Sequence, residues 1–279
     1  MPNSSIIATQ AIVVDTFREA FARKIFWGLF ALSTLMIAFF LFIMKIDIVQ
    51  GATATITLFG AQADQTVDAA QVVRKVQAGV AAFLYTWGMF LAVFASAGLI
   101  PSVLEPGRIE LLLSKPVSRT HLLLGRYLGN VLVVGCNIAY LVLGIWAILA
   151  LKTGIWTPEF LIAMATTMFL FAVLLSVVVL IGVLLESTAL AVMVPTGIML
   201  ISPVLAQVEM MDRLLSSEWS RALWRTLYHC LPKVYDIGRM TMDVVLGNPV
   251  HSLMPVFTTA ASGAVILAAA ISIFRRRDF

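Results

Sequence analysis

The sequence predicts an all-α integral membrane protein with six transmembrane helices, and three observations predict it. Only 12% of the 279 residues are charged and 61% are hydrophobic, with a mean hydropathy of +0.98; soluble domains carry about 25% charged residues. The charged residues leave six long uncharged windows, at 25–44, 76–104, 127–151, 160–185, 187–208 and 244–274, each able to hold the roughly 20 apolar residues that cross the hydrocarbon core as a helix. Runs such as VLLSVVVLIGVLL, Val173 to Leu185, do not alternate in and out as barrel strands do. The expected spans are 25–44, 79–100, 127–151, 161–185, 189–205 and 255–274, within a single transmembrane domain over 1–279.

Before the first span, residues 6–24 read as an amphipathic interfacial helix, with Ile6, Val13, Phe17 and Phe21 at helical spacing and Asp15, Arg18 and Glu19 elsewhere. This helix is expected on the cytosolic membrane surface, turning inward at Ile25. The run that follows is too long for a signal-peptide apolar core, which has about 7–15 residues. Lys45 to Lys75 form a polar connection rich in Thr, Ala and Gln. Pro101 and Pro106 stop the second span, because proline has no amide hydrogen with which to continue a helix. Between the fourth and fifth spans there are only Glu186, Ser187 and Thr188. The longest connection, Ala206 to Met254, repeats an apolar residue every fourth position at Met211, Leu215, Trp219, Leu223 and Leu227. Trp224 and Tyr228 add rings that favour the headgroup level, so outer interfacial helices are expected between spans 5 and 6.

Short basic segments set the orientation. Arg18, Arg23 and Lys24, then Arg108, Lys115, Arg119 and Arg126, and lastly Arg275, Arg276 and Arg277 fall on one face if there are six spans, which places both termini in the cytosol. A net charge of +4 is ordinary for a membrane protein and implies no nucleic-acid partner. Two cysteines, one in a span and one in a connection, make no disulfide framework.

Catalytic signatures are missing: the sequence contains no GxxxxGK[ST] phosphate loop, no HExxH, no CxxC and no GxSxG. The spans carry no carboxylate of the kind that binds and releases protons in proton-coupled carriers. The chain is therefore expected not to be an enzyme and to bind no cofactor itself. Asn130 and Asn137, seven apart in the third span, share a face and either bond a neighbouring helix or line a path. Met210, Met211, His229, Cys230, Met240, Met242 and His251 gather soft donors that suit copper(I). Thirteen methionines in so apolar a chain cluster by chance, and Met240 and Met242 point apart on a helix. No metal is assigned; His229, Cys230, Met240 and Met242 are the candidates should one bind.

The segment EPGRIELLLSKPVSRTHLLLGRYLG, Glu105 to Gly129, lies between the second and third spans. Gly107 permits a tight reversal and Ile109 to Leu113 suggest a short interfacial helix. Lys115-Pro116 breaks it, and Ser118 or Thr120 can cap the next helix. A short helix pinned at both ends by spans can pass force between a soluble partner and the membrane. The segment resembles the signature of type-2 ATP-binding-cassette (ABC) transporter permeases, E-x-G-T-L-E-x-L-L-S-x-P-V-S-R continuing through Gly-Lys or Gly-Arg. Glu105, Gly107, Glu110, Leu112, Leu113, Ser114, Pro116, Val117, Ser118, Arg119, Gly125 and Arg126 match it, while Arg108 replaces the family's Thr and Pro106 follows Glu105. The tail FRRRDF and the segment FREAFARKIFW from Phe17 are similar to the family's tail and connecting helix.

The resemblance implies a permease subunit of an ATP-driven exporter in the bacterial cytoplasmic (inner) membrane. It implies two cytosolic ABC ATPase subunits holding ATP and Mg, a second permease that is a copy or a paralogue, and membrane lipid around them. Glu105, Gly107, Arg108, Glu110, Ser114, Pro116 and Arg119 would couple to the ATPase, with Glu186 as a second, smaller contact. A membrane-embedded enzyme acting on lipid or peptide, and a non-transporting scaffold for an ATPase, are the alternatives from other classes.

Overall fold

The structure is a computed structural model describing residues 2–22, 24–43, 45–49, 53–58, 61–62, 67–98, 118–214, 216–250 and 252–276. Helix α1, Pro2–Ala22, precedes α2, Lys24–Ala38, which runs on as a π-helical turn, Phe39–Ile43. Residues 11–22 of α1 stand at 72° to residues 26–42. Helix α3, Ala69–Phe83, passes through a second π-helical turn, Leu84–Gly88, into α4, Met89–Ser96. Then come α5, Arg119–Thr153, a 3-10 turn at Pro158–Leu161 leading into α6, Ile162–Leu185, and α7, Thr188–Leu205. Three shorter helices follow, α8 (Val208–Leu214), α9 (Glu218–Cys230) and α10 (Val234–Leu246), before α11, Met254–Arg276. Five helical stretches among the described residues are long and apolar enough to cross a membrane, and the bent α1–α2 pair makes a sixth if counted as one span.

The all-α class describes the membrane-spanning part, and one feature adds to it. Strands β1 (Lys45–Val49), β2 (Thr53–Leu58), β3 (Ala61–Gln62) and β4 (Val67–Asp68) form a small antiparallel sheet, in which β2 pairs with each of the others. From the sequence alone this stretch reads as a polar connection. The β-branched run TATITL of β2 supplies the strand preference that composition alone conceals.

Helix ends follow local chemistry. Asp68 caps α3 by accepting the Ala70 N–H at 3.2 Å, and Ser118 caps α5 by accepting the His121 N–H at 3.3 Å. Gly154, in the left-handed region at φ 70°, ends α5. With 35 residues, α5 is about 50 Å long, well over the roughly 30 Å hydrocarbon core, so it projects beyond the apolar layer.

Helix α6 lies at the centre, packed by α5, α7, α10, α11 and α4. Phe171, Leu174 and Val178 on it are fully buried. Leu151, Phe257 and Val265 on surrounding helices face outward, as lipid-facing residues do.

The helices expected between α7 and α11 are present, and the structure separates an exposed one, α9, from one packed against the bundle, α10. Helix α9 buries no residue, and Trp219, Leu223 and Leu227 are exposed, as expected of a helix at an interface. Helix α10 instead packs into the bundle, with Ile237 and Val245 at 0% exposure. Its Thr241 Oγ1 donates to Thr166 Oγ1 of α6 at 2.9 Å, and the Tyr235 N–H to Ser202 Oγ of α7 at 2.9 Å. The cause is the spacing of Val234, Ile237, Thr241 and Val245, an apolar stripe narrow enough to seat between spans.

Candidate functional site

The N-terminal end of α5 is where α1 docks, and it immediately follows the motif-bearing segment. Glu105, Gly107, Arg108, Glu110, Ser114 and Pro116 lie outside the described residues; the structure resumes at Ser118. Arg119 is the first residue of α5 and half-buried. Two turns on, Gly125 and Gly129 let α1 approach closely. A Cβ on Gly125 would fall 2.7 Å from Ile12 Cγ2, and one on Gly129 2.6 Å from Thr16 Cβ. Between them stands Arg126, with only 2% of its side chain exposed. Its Nη2 donates to Asp15 Oδ2 at 2.9 Å, and its Nη1 donates to Glu19 Oε2. Asp15 and Glu19 are one turn apart on α1, so a single guanidinium bridges both. Arg126 Nε, also buried, has no partner among the described residues.

By sequence, Asp15 and Glu19 fall on the polar side of an interfacial helix and Arg126 in the connection before the third span. The structure turns that polar side onto α5. Two signals could have revealed it: the four-residue spacing of Gly125 and Gly129, which marks close helix approach, and the matching spacing of Asp15 and Glu19.

The other sequence candidates are dispersed. Asn137 Oδ1 accepts from Ser33 Oγ of α2 at 3.0 Å, tying α5 to α2, and Asn130 is buried beside the α1 contact. Glu186 ends α6 at φ 50° and is exposed, and Ser187 caps α7. Met242 lines one cavity and His229 another, while Cys230 is exposed at the end of α9. No group of three or more His, Cys, Asp or Glu among the described residues could hold a metal ion.

Those cavities lie toward the C-terminal end of α7. Short turns join α5 to α6 and α6 to α7, so this end is opposite the start of α5. A cavity of about 760 Å³ lies between α3 with its π-helical turn, α7 and α10, walled by Tyr85, Trp87, Phe90, Leu200 and Met242. A second, of about 980 Å³, is walled by Arg213, Arg225, His229 and Gln207. Arg239 lines both. Beside them Tyr228 Oη donates to Asp236 at 2.8 Å, and the Lys233 ammonium sits 4.2 Å from the Tyr228 ring. Burial first, and then the bond to Asp236, push the Tyr228 pKa well up. Burial lowers that of Lys233, with Asp236 opposing.

The sequence model of the family described as "ABC-2 family transporter protein" matches residues 10–279. The chain belongs to the ABC-2 transporter family. No curated protein matches it closely enough to count as a relative. ABC-2 membrane proteins are permeases that partner an ABC ATPase, and the several apolar helices make this chain a multi-pass membrane protein. The match begins within α1, so it takes in the helix that Arg126 clamps as well as the spans.

Proposed function

We propose that the chain is the permease subunit of an ATP-driven exporter in a bacterial cytoplasmic membrane, forming one six-span domain with both termini in the cytosol. Two cytosolic ATPase subunits, holding ATP and Mg, would drive two permeases, the second being a copy or a paralogue. The segment bearing Glu105, Gly107, Arg108, Glu110, Ser114, Pro116 and Arg119 docks on the ATPase, and the turn at Glu186 makes a smaller contact. One observation carries the reading. The guanidinium of Arg126, 2% exposed and held by Asp15 and Glu19, fastens α1 to the helix that continues directly from this segment. A push on the segment would therefore move α1 and α5 together, and α2 with them through the chain and the Ser33–Asn137 bond. A solvated loop between spans would need no such fastening.

The test is affinity purification of the tagged chain from gently solubilised native membranes. An ATPase is expected to co-purify, and reversing Glu110 and Arg119 to Lys and Glu is expected to release it while the permease still assembles. Absence of any ATPase after cross-linking overturns the reading. Substrate flux into vesicles, dependent on ATP, separates an exporter from a scaffold that moves nothing.

A further inference from the structure

The cavities at the C-terminal end of α7 differ in chemistry yet share Arg239. The first is walled almost wholly by carbon, and its volume of about 760 Å³ falls within the roughly 300–1,000 Å³ of ligand pockets. A hydroxyl on its wall, Thr196 Oγ1, is buried without a hydrogen-bond partner among the described residues. The second cavity is cationic. Arg225 there is tied to Asp212 at 2.6 Å, but Arg213 and Arg239 make no ion pair or hydrogen bond among the described residues. Two guanidiniums lining one cavity without an ion-pair partner among the described residues favour an anion between them. An apolar hole beside them selects a hydrocarbon body.

We propose that the two cavities form one binding site for an anionic amphiphile. Its hydrocarbon lies against Trp87, Phe90 and Leu200, and its phosphate or carboxylate sits between Arg239 and Arg213. Neither half alone accounts for the pair, because a free anion leaves the apolar hole empty and a neutral hydrocarbon leaves the arginines unmatched. Soft-metal binding is disfavoured by the arginines, which repel cations.

Binding requires no ATPase and no transport, so it is tested on the full chain in neutral maltoside detergent, and its failure would leave the permease reading standing. The probe is dodecyl phosphate carrying bromine on its chain, which quenches a nearby tryptophan. Saturable quenching is expected, and Trp87→Phe should remove it. Arg213→Gln with Arg239→Gln should weaken the probe about a hundredfold, as expected for loss of two charge-assisted contacts worth about tenfold each. Both arginines are exposed, so these variants leave the fold intact, which an unchanged melting temperature checks. Inorganic phosphate should not compete. Competition by phosphatidylglycerol would assign the natural ligand to the bilayer, and competition by single-chain phosphates alone would assign it to a soluble amphiphile. Equal quenching by bromododecyl phosphocholine, or an affinity unchanged in the double variant, overturns selection for an anion. Quenching that persists in Trp87→Phe overturns the placement of the chain.

Discussion

Arg126 at one end of the helical bundle and Arg213 with Arg239 at the other are handled in opposite ways. At the start of α5, Arg126 is buried and both terminal nitrogens meet carboxylates, with glycines on either side pressed against α1. At the far end, Arg213 and Arg239 line a roomy cavity without a carboxylate partner among the described residues. A buried charge is tolerated only when paired, whereas a solvated one can stand free and wait for a ligand. The closed end is built to hold two helices in one geometry, and the open end is built to be filled.

Overpacking the closed end should be the most damaging change. Gly129→Leu places a side chain where even a Cβ falls 2.6 Å from Thr16, and is expected to cost about 3 kcal/mol, visible as a lower melting temperature and faster proteolysis of α1. Arg126→Ala removes one cation from two anions. The cost should be about 2 kcal/mol, below the roughly 3–5 kcal/mol of a fully buried pair because Asp15 is 60% exposed. Loss of ATP-dependent flux in membranes where the chain still inserts would tie that clamp to coupling; unchanged flux would make it purely structural. The same change at the open end, Arg239→Gln, should alter the melting temperature by an amount equivalent to less than about 0.5 kcal/mol. A large loss there would break the contrast.

Two smaller effects sharpen it. The Tyr228 pKa is raised above its usual 10.0, so the folded chain keeps a proton that the unfolded chain releases. The stabilisation is complete below pH 10 and lost as pH rises beyond it, and Tyr228→Phe should flatten the alkaline part of a melting-temperature profile. Glu186 occupies a left-handed conformation at φ 50°, so Glu186→Gly should stabilise the α6–α7 turn by about 0.5–1 kcal/mol. If the variant melts higher yet couples ATP hydrolysis less well, the carboxylate itself contacts the ATPase.

Length and polarity made the spans legible, because the bilayer demands about 20 apolar residues whatever the tertiary contacts. The helices extend beyond the expected limits where polar residues find partners. Helix α3 begins at Ala69 because Asp68 caps it, and Arg74, excluded from the apolar window, reaches Glu159 at 3.5 Å. Gly247 at φ 84° ends α10 where a Cβ would fall 1.8 Å from Arg74 Nη1. The β-sheet was hidden by a composition that reads as loop, and the burial of α10 by a segment average in which α9 is amphipathic at the surface.

By itself the sequence determined the membrane class, a helix start with Ser118 or Thr120 as its cap, and a motif that resembles one family, since each rests on neighbours along the chain or on the solvent; the structure puts the cap at Ser118. Only the tertiary structure decided that Arg126 faces Asp15 and Glu19, more than a hundred residues away in the chain, and that Arg239 stands between an apolar and a basic cavity. A charge shows its sign in the sequence; its partner depends on which helices pack together, and that is fixed by close contacts such as those of Gly125 and Gly129.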